Sequence, residues 1–141
     1  DLNAGPWLKL EYHCQKLSVD STKELYIIAG GIFHSANTLN DKGKVFIPDS
    51  CFKIVVVMDK DKGLKDISAK TTVIAVIMPN IRGISKEKWI QYITTVDRIE
   101  GTTGYDFLDK IPDKIENILE AKKYQPPPEP DKKSKNLIID Y

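Results

Sequence analysis

Short runs rich in isoleucine and valine, separated by polar clusters, limit what this chain can fold into. Leu25–Ile28, Val45–Ile47, Phe52–Met58 and Thr72–Met78 are each bounded by Gly, Asn, Asp and Lys. That is the pattern of strands in a half-buried or buried sheet. The intervening segments 34–44 and 59–71 are Lys/Asp-rich and read as loops. Ahead of the strands, Trp7, Leu10, Cys14 and Leu17 recur at i, i+3, i+4 spacing, so residues 3 to about 18 suit a helix. After them, Thr94 or Thr95 can cap a short helix through about Thr102, ended by Gly104. Pro112 fits the first turn of a last helix with Ile115, Ile118 and Leu119 on one face. Helices before and after the strands, without a βαβ rhythm, predict an α+β fold.

The 141 residues, 41% hydrophobic and 29% charged, describe one globular domain long enough to bury a core without disulfide or metal staples. No apolar run approaches the roughly 18 residues of a membrane span. No signal peptide is visible, which leaves the compartment open. The formal charge is only +1, from 21 basic and 20 acidic residues, whereas nucleic-acid binders usually carry a basic excess. Basic groups for such a role would have to share one face or come from another segment. Cys14 and Cys51 lack metal-site spacing and read as buried free thiols rather than a disulfide. Composition changes at Tyr124. Residues 1–123 form the domain, and 124–141 a Pro/Lys-rich tail whose Gln125–Lys135 stretch is polyproline-like and cannot pack a core. Gly30-Gly31 lacks the spacing of nucleotide-binding loops, and Pro79-Asn80 and Thr103-Gly104 are turn chemistry. In isolation Asn3 reads as a helix cap ahead of Pro6, Glu11 as a solvated helix charge and Trp7 as core.

The opening stretch Asn3-Ala-Gly-Pro-Trp-Leu-Lys-Leu-Glu11 carries an N-x-G-x-W-x-x-x-E pattern. It is followed by Tyr26-Ile-Ile-Ala-Gly-Gly-Ile-Phe33, Val45-Phe-Ile-Pro-Asp-Ser-Cys-Phe-Lys-Ile-Val55, Val73-Ile-Ala-Val-Ile-Met-Pro-Asn80 and Thr95-Val-Asp-Arg-Ile-Glu-Gly-Thr-Thr-Gly-Tyr-Asp-Phe107. In this order they resemble the DNA/RNA non-specific endonuclease family, the ββα-metal nucleases that include endonuclease G. The resemblance implies a ββα-metal (His-Me finger) fold, in which a metal-site helix packs on a mainly antiparallel sheet. It implies a Mg²⁺-dependent endonuclease acting on DNA and RNA, with Mn²⁺ as an alternative ion. Asn3 would be the protein side chain on the metal, and Asn3, Glu11 and Gln15 the catalytic set. The family's general base, a His in Asp-Arg-Gly-His, lies upstream of the Asn. This chain starts two residues before Asn3, so it is expected to be the second half of a domain whose N-terminal half is a separate or cleaved chain. The resemblance further favours a secreted or periplasmic protein and allows a homodimer. The alternative is a nuclease-fold module without catalysis that binds nucleic acid or protein.

On a helix starting at residue 3, Asn3 and Glu11 lie about 80° apart and Gln15 about 40° further, so all three can share one side. Glu11 is then roughly 12 Å along the axis from Asn3, too far for one ion to bind both. The expected division puts Asn3 Oδ1 on the ion, with Glu11 holding a metal water or orienting a basic neighbour. Gln15 replaces the family's usual Arg, keeping a donor and losing the charge. His13 is about 200° round the helix from Glu11 and points away. His34 stands at the start of a loop with no Asp-Arg-Gly before it, and both His are expected at a surface or an edge. Lys53, inside a strand, is expected to be structural or electrostatic. Ala29-Gly30-Gly31, where the family usually has Thr-Gly-Pro, is expected to be a structural change.

Overall fold

Alternation along one strand organises the molecule. The computed structural model describes residues 1–20, 22–40 and 43–128. Its order is α1 (Pro6–Asp20), β1 (Lys23–Ile32), β2 (Ser50–Asp59), β3 (Thr72–Pro79), β4 (Ile93–Thr94), α2 (Val96–Thr103) and α3 (Asp113–Ala121), with 3₁₀ turns at Ile84–Lys86 and Trp89–Tyr92 between β3 and β4. The strands form an antiparallel meander in the order β1-β2-β3-β4. The side chains of β2 are buried on both faces, because successive residues of a strand point to opposite sides. Cys51, Val55 and Val57, with Ile74, Val76 and Met78 of β3, pack against Leu10 and Cys14 of α1. Phe52, Ile54, Val56 and Met58 pack with Val96 and Ile99 of α2 and Leu119 of α3. The result has three layers, and its α+β class is the one the sequence predicts. No helix among the described residues is long and apolar enough to cross a membrane.

Local chemistry fixes most element ends. Thr95 Oγ1 accepts from Arg98 N at 3.2 Å and caps α2, while Gly104 closes it at φ 75° in the left-handed region. Pro112 precedes α3. Ile115 and Leu119 face the core, but Ile118 is 45% exposed, so the expected apolar face of α3 is narrower by one residue. Val45–Ile47 is not a strand. Only an isolated bridge, Thr38 to Phe46, forms there, and Val45 and Phe46 remain exposed. Three apolar residues without a buried partner face do not hold a ladder. Tyr124 packs on the core beside Trp89, and residues 129–141 of the tail lie outside the described residues.

Helix α1 starts at Pro6, not at Asn3. Proline suits the first helical position, where its missing N–H costs nothing, and it disfavours helical geometry in the residue before it. Asn3 therefore belongs to a turn in which Gly5 N donates to Leu2 O at 3.0 Å. The start of α1 is clamped to the segment after β3. Lys9 Nζ donates to Ser85 O at 3.2 Å and Glu87 O at 2.8 Å, and Gly83 N donates to Asp1 Oδ2 at 2.6 Å. A Cβ on Gly5 would stand 2.6 Å from Ser85 Cα and 2.7 Å from Asp1 O, both backbone atoms that cannot swing aside. Gly101, inside α2, has nothing within 4 Å of that position. Gly5→Ala is therefore expected to cost about 1–3 kcal/mol through overpacking, and Gly101→Ala to add about 0.5–1 kcal/mol of helix stability. Urea unfolding of both variants checks the opposite signs.

Candidate functional site

A cleft of about 530 Å³ opens between α1 and β1, lined by Trp7, Glu11 and Gln15 of α1, Ile27 and Ala29 of β1, and Lys53 of β2. Strand alternation turns Lys53 to the α1 side, among Cys51, Val55 and Val57. Its side chain is only 5% exposed. A buried ammonium has to be paired, and two groups one helical turn apart on α1 do this. Lys53 Nζ lies 3.2 Å from Glu11 Oε1 and 4.1 Å from the centroid of the Trp7 ring. Such a desolvated cation–π contact adds to the ion pair. The expectation that Lys53 is electrostatic and that Glu11 orients a basic neighbour therefore meets in one contact. Trp7 is more than core, since its ring face supports the cation. Trp7 and Glu11 at i and i+4 beside a lysine inside an apolar strand were the sequence signal for this contact.

Gln15 lies exposed one turn beyond Glu11 and lines the same cleft. Asn3 does not line it. It is exposed in the turn before α1, and its carboxamide makes no hydrogen bond among the described residues. The shared helical face expected for Asn3, Glu11 and Gln15 thus holds for the last two only, because Pro6 delays the helix. The capping alternative for Asn3 also loses its geometry, since the residue before Pro6 is Gly5.

Neither histidine reaches the cleft. His13 is half-buried rather than a surface residue. Its ring centroid lies 5.0 Å from that of Trp89 and 6.2 Å from that of Tyr124, whose hydroxyl is 3.4 Å from His13 Nε2. Burial, helped by Lys16, holds its pKa below the ordinary value. His34 is exposed, as expected, and its backbone N–H donates to Asp49 Oδ2 at 2.6 Å. Asp49 also accepts from Ser35 N at 2.9 Å and Ser35 Oγ at 2.6 Å, and these bonds, led by those from Ser35, hold its carboxyl down at about 2. Cys14 and Cys51 are free, with burial pushing both thiols up, so they suit packing rather than nucleophilic chemistry. Gly30 and Gly31 answer to packing: a Cβ on either would stand 2.8 Å from the ring of Phe52 or of Phe33.

The Lys53–Glu11 contact is testable by a double-mutant cycle. Glu11→Gln leaves the buried ammonium with Trp7 alone, while Lys53→Met leaves an exposed carboxylate. Urea unfolding of both single variants and the double variant should give a coupling of about 1 kcal/mol, at the lower end for contacting residues because Glu11 is half-exposed. Additive losses would mean the pair is not formed in solution.

Three comparisons with known proteins bear on this arrangement. The sequence profile of the DNA/RNA non-specific endonuclease family matches residues 1–114. A nuclease from Nostoc sp. (strain PCC 7120 / SAG 25.82 / UTEX 2576) is 43% identical over 123 residues, which are 86% of this chain and 43% of that protein. A chain in the crystal structure of the EndoG/EndoGI complex, which concerns the mechanism of EndoG inhibition, superposes with a TM-score of 0.58 at 20% identity. The match covers 78% of this chain and 46% of that one, and it supports the fold. The chain thus spans less than half the length of these two relatives. With the antiparallel sheet and the helix that carries Trp7, Glu11 and Gln15 already in place, the match over residues 1–114 means that the chain belongs to the DNA/RNA non-specific endonuclease family.

Proposed function

We propose that this protein is a Mg²⁺-dependent, sugar-non-specific endonuclease that hydrolyses phosphodiester bonds of DNA and RNA. Its general-base histidine would come from the N-terminal half of the same domain. The observation that carries the reading is the exposed, unbonded Asn3 at the head of the helix whose Glu11 is fixed by Lys53 beside the cleft. The donor set fits a hard cation. An exposed carboxamide oxygen with a carboxylate further along the helix suits Mg²⁺, which keeps several waters and takes few protein ligands, and Mn²⁺ accepts the same oxygens. Asn3 would hold the ion, and when bound the ion supplies charge stabilisation at the phosphate and the leaving oxygen. Lys53 holds one oxygen of Glu11, so the other can accept a hydrogen bond from water in the cleft. The Gln15 amide can donate to a phosphate oxygen without adding charge. Contacts of this kind read the nucleic-acid backbone, so binding should tolerate any sequence and weaken with salt.

Neither of the two histidines lines the cleft, which supports a general base supplied from outside this chain. The sheet offers a place for its carrier. β1 is an edge strand of ten residues on which Tyr26, Ile27 and Ile28 are 42–53% exposed. A long apolar edge of this kind is normally covered, and strands of the N-terminal half would cover it. The 141-residue chain alone is therefore expected to show no Mg²⁺-dependent plasmid nicking, and nicking should appear when the N-terminal half is supplied. Nicking by the chain alone that Asn3→Ala abolishes would overturn this.

In the intact protein, Asn3→Ala is expected to lower turnover by several orders of magnitude with little change in unfolding midpoint. Loss of the ion's charge partner is worth several kcal/mol, at about tenfold per 1.36 kcal/mol. Loss of stability with activity kept would instead assign Asn3 a structural role in the turn before α1. Gln15 in the cleft and the near-neutral charge favour a second reading, a module that binds without cleaving. An intact protein that retards nucleic acid in gels and never nicks it, with or without Mg²⁺, would establish that reading.

A further inference from the structure

On the sheet face opposite the cleft, α2 and α3 bring acidic side chains together around a buried one. Glu120 is 6% exposed; its carboxyl has a side-chain hydrogen bond with Glu100, but its Oε1 is buried without a hydrogen-bond partner among the described residues. One oxygen of Glu120 lies within 4.8 Å of carboxylate oxygens of Asp97 and Glu100, which are themselves that close. Glu120 forms an equally tight triad with Asp106 and Glu116. A span of 4.8 Å is what separates two oxygens on opposite sides of an ion with metal–oxygen distances of about 2.4 Å. Glu100 is held in place, because its Oε1 accepts from Phe107 N at 2.6 Å. We propose that Glu120 is the centre of a second divalent-cation site, between α2 and α3, that takes Ca²⁺.

The chemistry favours calcium over its rivals. The cluster offers carboxylate oxygens only, with no His or Cys, and so does not suit Zn²⁺. Its groups come from two helices and the segment between them, an irregular array that fits the flexible six to eight oxygen ligands of Ca²⁺ better than the strict octahedron of Mg²⁺. A bare cluster would be costly. Burial, followed by the charges of Glu100 and Glu116, pushes the Glu120 carboxyl up to about 7. The groups that face it are Asp97 and Glu100 on α2, Glu116 on α3 and Asp106 between them, all acidic. A cation seated among these carboxylates would offset their mutual repulsion and tie α3 to α2.

Unfolding of the intact protein in metal-free buffer with added Ca²⁺ or Mg²⁺ tests this. At about pH 7.5, saturating Ca²⁺ should raise the midpoint by roughly 5 °C, and equal Mg²⁺ should do less. Glu120→Gln, which keeps shape and removes the charge, should abolish the response. If that variant does not fold, Asp97→Asn at an exposed position should weaken it severalfold. Asn3→Ala should leave the response intact, which separates this site from the one proposed at the cleft. No midpoint rise with Ca²⁺, or a rise that persists unchanged in Glu120→Gln, would overturn the site.

Discussion

A buried ammonium is the constraint on which the working side of this molecule depends. Lys53 occupies a position that strand alternation assigns to the core, so the fold is viable only if something on the facing helix neutralises it. Glu11 and Trp7 do so from successive turns of α1, and that requirement sets the rotation of the helix about its own axis. The rotation then decides which side chains reach the cleft: Gln15 follows Glu11 into it, while His13 is carried round to Trp89 and Tyr124. Gly5 and Lys9 fix the same helix along its axis, through close approach and hydrogen bonds to the backbone of Ser85 and Glu87. One ion pair and one close approach thus place every α1 side chain proposed for the site.

Much of this was legible in the residues. The spacing of Trp7, Leu10, Cys14 and Leu17 fixed the buried stripe of α1, and the Ile/Val runs located β1, β2 and β3, because burial on one or both faces leaves a period in the sequence. Thr95 and Gly104 marked the ends of α2 through chemistry local to those residues. The misses came where local signals compete. Val45–Ile47 has the composition of a strand, but it pairs only with residues 37–39, through one isolated bridge outside the sheet, and its side chains stay largely exposed. Asn3 has a regular helical spacing to Glu11, yet Pro6 decides the boundary. The aromatic setting of His13 could not be read at all, since Trp89 and Tyr124 lie far along the chain and nothing local couples them to it.

The two faces of the sheet divide the chemistry. The α1 side carries a lysine, a carboxylate and an amide around an open cleft. The α2–α3 side carries carboxylates around a buried centre. The strands between them are packed on both sides, and cores of this density do not deform continuously.

The clamp on α1 also sets an order of events in folding. Its hydrogen bonds join residues 76, 78 and 82 positions apart in the chain, and the contact of His13 with Tyr124 spans 111. Contacts so distant in sequence form late, because the loops they close are long. During synthesis α1 emerges before β3, yet it cannot be fixed until β3 and the turn after it have left the ribosome. The turn around Gly5 and the first turn of α1 are thus among the last parts of this fold to acquire their final geometry.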